Sequence, residues 1–512
     1  MTLNFVSPKS SKPIGSIDLA RNVLNVATAN LPNAQEFRAS LKSTRSYRDE
    51  YQKLFTDLGQ IEFSSQQDLL SIAQNGLAAL ANSVVNRVGQ NLTQLTELGW
   101  SSQESLVITV SIQGKNDPIV LSSAAITASW VDQKLAEPGL YAAAAFLKSQ
   151  PEIRPTTGDL LVALGAAAEF APTETWLKLG GAVAAVARPR KALWQQLIET
   201  ARQSGGELLV PVLASRLRAK GLTADASLAA RMNDEQLAEF AGLDLIEDVS
   251  AISSWLAELS APKLGSKVHH RTILGCYAYA PAAEHIRVQA VQDSLIARLI
   301  ENRSAQKIAL AWLATPTDST VVTSDVAESN LERFQRRSLL TRFRDRFFEP
   351  LGQLKPATLN TFSSNDGTEL ATIDSSIKLQ GPSYLFAKRT QRWRAYLAHS
   401  QGVLVSYQIC PPARTESVLS RRILRASYAG GPKFGLHPFE IKTANLAATA
   451  MLLRDLYDAD APANPKRKLQ NPVELHAANA IHGGFWRLVY EPSTIGIAST
   501  LMGLPSVLTT NN

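Results

Sequence analysis

Apolar residues recur at three- and four-residue spacing across 17–27 and 69–88, the period of an amphipathic helix. Residues from about 14 to 100 therefore read as helical. One strand-like run follows at 106–112, and 130–147 returns to a helical pattern. A polar, Pro-containing linker at 149–158 then separates this part from a different rhythm. From Asp159 onward, short apolar runs alternate with helical stretches, which predicts βαβ units and a parallel sheet.

The first unit sets the expected topology. Leu160 to Leu164 form an all-apolar run that ends at Gly165, and a short helix around Trp176 and Leu177 stops at Gly180-Gly181. A second run, 182–187, ends at Arg188-Pro189-Arg190-Lys191. The helix 192–203 closes on Gly205-Gly206, and 208–212 is a third strand. Ligands of open α/β sheets bind beyond the carboxyl ends of the strands, so Gly165, Arg188 and Pro211 are expected to line one crevice. The polar helical stretch 214–267 reads as an insertion. Strands return at 272–279 and 308–313 around a helix at 286–300, and 331–351 is helical. A strand at 370–373 runs into Asp374-Ser375-Ser376, and a last strand spans 403–410. The pattern predicts an α/β fold: a mostly helical N-terminal domain (1–150), a doubly wound parallel-sheet domain (158–490) with a helical insertion at about 214–267, and a tail (491–512).

Composition adds little to that picture. The chain has 512 residues, 45% hydrophobic and 19% charged, enough for two or three domains with ample core. The net charge of +7 is mild for this length and no nucleic-acid motif accompanies it. No apolar run approaches the ~20 residues that span a bilayer, and the first residues lack the order of a secretory signal. Two cysteines, Cys276 and Cys410, give neither a disulfide framework nor a metal spacing. A cytoplasmic protein without a metal is expected, with a homo-oligomer left open.

The chemistry centres on Tyr384 and Lys388. Four residues apart, they fall on one face of a helix, one turn from each other. An ammonium there lowers a phenol that ordinarily titrates near ~10 toward neutrality, where it can exchange a proton.

From about 158 to 490 the chain resembles the short-chain dehydrogenase/reductase family. The likeness is one of order: a strand-Gly-helix-strand opening, a Ser-ending strand, Tyr-x-x-x-Lys, and a strand leading into Pro411-Pro412-Ala413-Arg414-Thr415. The resemblance implies a Rossmann-like fold. It implies Tyr384 as general acid or base for hydride transfer to a carbonyl, and Lys388 lowering its pKa and holding the nicotinamide ribose. Ser375 or Ser376 would orient the substrate oxygen, and Pro411 and Thr415 would close over the nicotinamide. Arg188 and Arg190 suggest the 2′-phosphate of NADP(H), since no acidic residue is adjacent to take a free ribose hydroxyl, with NAD(H) the alternative form. The implied activity is reduction of a small or carrier-bound carbonyl, such as a 3-ketoacyl thioester. The family's glycine-rich turn reads here as Gly165-Ala166-Ala167-Ala168-Glu169, keeping only the first glycine. That departure supports an alternative, a degenerate reductase-like scaffold or partner in a lipid- or polyketide-synthesising assembly. The arginine-rich stretch 331–351, interleaved with Phe334, Phe343, Phe347 and Phe348, reads as a solvated face opposite a packed aromatic one. Its sharper reading is a dock for the phosphate of a pantetheine carrier or coenzyme A.

Overall fold

The computed structural model describes residues 3–509, apart from 9, 42–43, 122–128, 156–157, 226, 228–230, 261–269 and 378–379. Parts of the predicted insertion and the last residues of the tail lie outside the described residues. Among the described residues are the strands β1 (Asn4–Phe5), β2 (Val84–Val85), β3 (Val107–Gln113), β4 (Asp159–Leu164), β5 (Ala182–Val186), β6 (Glu207–Leu213), β7 (Arg271–Cys276), β8 (Ile308–Ala314), β9 (Ser319–Thr323), β10 (Asn360–Ser363), β11 (Glu369–Asp374) and β12 (Leu404–Ile409). Seven of them form the main sheet in the order β12-β8-β7-β4-β5-β6-β3.

Six of the seven pair in parallel, and β3 joins the edge antiparallel to β6. The parallel strands taken in chain order therefore lie as 6-5-4-1-2-3, which is the doubly wound Rossmann arrangement. The central strands are buried on both faces, as β4 is at every residue. Hence they read as unbroken apolar runs rather than alternating ones.

Helices Thr173–Lys178, Lys191–Arg202, Ile441–Tyr457 and Gly139–Ser149 cover one face of the sheet. Val249–Ser260, Ala282–Asn302 and Gly381–Ser400 cover the other. Val249–Ser260 belongs to the predicted insertion, yet eight of its residues are buried, and the Trp255 indole donates to Thr109 Oγ1 at 2.8 Å. It is the crossover helix between β6 and β7, without which the sheet would lack cover there. Its run of Ile252, Trp255, Leu256 and Leu259 is the sequence signal for that role.

The N-terminal part is not packed as a separate body. Helices Ser16–Ala27, Gln66–Ser83 and Leu92–Trp100 share one apolar core with the second face of the sheet. Ser16–Ala27 and Gln66–Ser83 form a third layer over Gly381–Ser400, so close that a Cβ on Gly76 would fall 2.3 Å from the Trp393 ring, while Leu92–Trp100 packs on Val249–Ser260 and Ala282–Asn302. With β3 inside the main sheet, the boundary expected near residue 150 separates no two cores.

Between β8 and Gly381–Ser400 lies a second, three-stranded antiparallel sheet, ordered β10-β11-β9. The expected helix 331–351 is two helices, Ser324–Gln335 and Leu339–Phe348, because Ser338 breaks the run and caps the second through Thr341 N. No described helix is long and apolar enough to cross a membrane.

Candidate active site

The sheet's switch point lies between β4 and β7, and a crevice opens beyond their carboxyl ends. One part of it, about 300 Å³, is lined by Ala278, Tyr279, Thr315, Tyr384, Lys388, Cys410, Pro411, Thr415 and Tyr428, among others. The neighbouring cavity, about 230 Å³, is lined by Gly165, Arg188, Arg190 and Asp244. Ala168, Ala278 and Tyr279 border both. Of the residues singled out in the sequence, Tyr384, Lys388, Pro411 and Thr415 meet in the first cavity, and Gly165, Arg188 and Arg190 in the second. Pro211 lines neither; it sits within β6, where its carbonyl accepts from Gly242 N at 2.8 Å.

Ser375 and Ser376 are not part of the crevice. They follow β11 of the small sheet, are fully buried, and are committed elsewhere. Ser376 Oγ contacts Asp374 and accepts from Gln52 Nε2 at 2.7 Å, while Ser375 Oγ donates to the Phe485 carbonyl at 3.4 Å. The last strand before the Tyr/Lys helix is thus a hairpin strand, and β8 is the sheet strand that precedes it. Asn365-Asp366-Gly367, with Gly367 at φ 82°, is the turn that marks the hairpin. Thr315, just beyond β8, stands at the strand end where the serine is expected and lines the crevice together with Tyr384.

The Gly381–Ser400 helix carries Pro382 as its second residue, so Tyr384 stands in its first turn and Lys388 one turn deeper. Sandwiched between the sheet and the N-terminal layer, the helix buries most of its circumference, cations included. Arg389 pairs with Glu62 at 2.7 Å, Arg392 with Asp318 at 2.9 Å and Arg394 with Asp293 at 2.6 Å. Lys388 is 8% exposed and has no such carboxylate among the described residues. Its Nζ reaches Gln391 Oε1 at 3.4 Å and lies 5.7 Å from the Tyr384 ring centre. A buried cation is ordinarily paired. Lys388 alone of these four instead faces the crevice.

Burial pushes Lys388 down to about 8, opposed by Asp318 and by the thiols of Cys410 and Cys276. The folded chain therefore sheds this proton before the unfolded chain does, whose lysine titrates near 10.5. Below about 8 the ammonium carries its full desolvation cost, and that cost is relieved as pH rises to 10.5. The stability gap between the wild type and Lys388→Met is expected to change in favour of the wild type across that window, by up to about 3 kcal/mol. Denaturant titrations at stepped pH measure it, and a constant gap would show a lysine that titrates as in water.

Tyr384 differs from the sequence expectation in direction. Burial raises its phenol well above the ordinary value, against the Thr315 hydroxyl, which lowers it. The ring stacks on His285 at 5.4 Å and 15°, with Tyr279 edge-on at 6.2 Å. Neither His285 ring nitrogen has a hydrogen-bond partner among the described residues, and burial holds the ring neutral. The phenol is thus kept protonated, the form of a proton donor. Burial also raises the thiols of Cys276 and Cys410, which disfavours their nucleophilic forms.

Gly165 is at φ 92°, and a Cβ there would fall 2.5 Å from Ala278 N, so only glycine fits this turn. The loop after it runs to Pro172 before a helix begins. Glu169 Oε1 crosses the crevice to accept from Glu416 N at 3.0 Å. Arg188 is 3.7 Å from Asp244 and 3.2 Å from Glu284, whereas Arg190 has no carboxylate partner among the described residues. Asp244 is distant in sequence, so the inferred absence of an acid beside Arg188 does not hold. Comparisons with family models, curated proteins and solved structures find no match for this chain.

Proposed function

We propose that the chain is an NADP-dependent oxidoreductase that reduces a carbonyl, with a 3-ketoacyl thioester as the expected substrate class and Tyr384 as general acid. One observation carries the reading: Tyr384, Lys388 and Thr315 converge beyond the strand ends at the switch point of a Rossmann sheet. A bound dihydronicotinamide would supply the hydride. Gly165, Arg188, Arg190, Lys388, Pro411 and Thr415 would hold the dinucleotide, and the glycine-only turn at Gly165 fits a backbone that must approach a diphosphate closely.

The chain's own residues supply the proton and its management. Tyr384 donates from its phenol to the carbonyl oxygen as that oxygen gains charge. Thr315 orients the phenol, and the Lys388 ammonium stabilises the phenolate left behind. Tyr279 and His285 pack against the phenol ring and fix its place at the crevice.

Titration with NADPH, followed by dihydronicotinamide fluorescence, tests the cofactor half. Saturable binding is expected, weakened roughly tenfold in Arg190→Ala, with NADH binding less tightly. A preference for NADH would assign Asp244 to the ribose instead. The Glu169 link to Glu416 N favours a second reading, a reductase-like scaffold or partner in a lipid- or polyketide-synthesising assembly. Lack of saturable binding by either nucleotide selects it.

A further inference from the structure

The helix Leu339–Phe348 presents a surface that the proposed chemistry does not use. Leu339, Leu340, Phe343 and Phe347 are 82%, 84%, 80% and 72% exposed. They fall within about 100° of one another on a 3.6-residue helix. Leu351, 51% exposed, extends the strip beyond the helix end. Isolated exposed apolar residues are ordinary, but a contiguous strip of five is not.

The opposite side of the helix is firmly anchored. Phe348 is buried against Phe434 at 6.3 Å, and Asp345 takes Arg337 at 2.9 Å, Arg344 at 2.7 Å and the Tyr490 hydroxyl at 2.9 Å. The exposure of the apolar strip is therefore held in place by packing. Two arginines, Arg342 and Arg346, lie along one edge of the strip, both exposed and in no ion pair among the described residues; Arg342 also donates to the Gln335 carbonyl at 2.6 Å, and the exposed Glu349 lies beyond them on that edge. Of the phenylalanines in this stretch, Phe348 packs as expected, while Phe343 and Phe347 do not.

We infer that this helix lies in the interface of an anionic lipid membrane, with the leucines and phenylalanines in the acyl boundary and the arginines on lipid phosphates. A shallow apolar strip edged by two exposed cations meets both halves of that surface at once. In an antiparallel pairing with a second copy, this arginine edge would face its own counterpart. The inference stands independently of the reaction assigned to the crevice.

Co-sedimentation of the full chain with vesicles tests it, comparing phosphatidylcholine alone with phosphatidylcholine containing phosphatidylglycerol. Partition onto the anionic vesicles is expected to exceed that onto neutral ones at least ~tenfold and to fall roughly fivefold for each of Arg342→Ala and Arg346→Ala. The double variant Phe343→Glu/Phe347→Glu should lose binding altogether with an unchanged thermal midpoint, because both side chains are exposed. Failure of the wild type to bind anionic vesicles overturns the inference, as does undiminished binding by the glutamate variant. A wild-type dimer that turns monomeric in that variant, with no vesicle binding, would assign the strip to a second copy and overturn it too.

Discussion

Tyr384→Phe is expected to lower the turnover of carbonyl reduction by roughly 10²–10⁴-fold while leaving the dissociation constant for NADPH within about twofold of wild type. The substitution removes one oxygen from a ring that stacks on His285 and lies edge-on to Tyr279, so the walls of the crevice are kept. Thr315 keeps its hydrogen bond with Thr317 at 2.8 Å. A loss confined to kcat would place the phenol in the chemical step. Turnover unchanged in the variant would remove Tyr384 from the mechanism, and a large loss of NADPH affinity would make it a binding group.

Glu62→Gln is expected to cost about 3–5 kcal/mol of stability, a large share of what holds a folded chain together. Both members of the Arg389–Glu62 pair are 0% exposed. Glu62 also accepts from the Trp393 indole at 2.7 Å. Glutamine preserves that acceptor and the volume but leaves the guanidinium buried without a counter-charge. Arg389 keeps two carbonyl partners, Phe55 at 3.1 Å and Ser319 at 3.0 Å, which soften the loss without cancelling it. The denaturation midpoint in urea should fall with the slope unchanged. Pairing the change with Arg389→Met should restore much of the loss, since removing both charges relieves the burial penalty. A single-variant cost below about 1 kcal/mol would mean that water reaches the arginine.

The parallel strands are legible as elements because they are short and largely apolar, with β4 closed by Gly165 and β5 by the charged turn at Arg188. The Tyr384–Lys388 pair is legible for a related reason: one helical turn is a local relation, fixed by spacing. What escapes depends on partners distant in sequence. The hairpin before the helix hides behind a strand that resembles a sheet strand, so the pattern points to the serines where Thr315 stands. Lys388 is distinguished from Arg389, Arg392 and Arg394 only by the carboxylates those three find, at Glu62, Asp318 and Asp293. The direction of the Tyr384 shift likewise belongs to burial, which spacing does not encode. Asp244 reaches Arg188 only because the chain returns past β5, where Leu243 N meets the Ala187 carbonyl at 2.9 Å.

The layer of N-terminal helices over Gly381–Ser400 also has a consequence in time. Glu62 and Arg389 are 327 positions apart, so at ~5–20 residues per second a ribosome finishes the first roughly 15–65 s before the second. For that interval the part of the Gln66–Ser83 helix that faces Gly381–Ser400, including the groove at Gly76 that Trp393 will fill, lacks its native partner. Collapse of the early helices among themselves takes microseconds. The nascent chain must therefore hold this surface through a wait many orders of magnitude longer than its own relaxation.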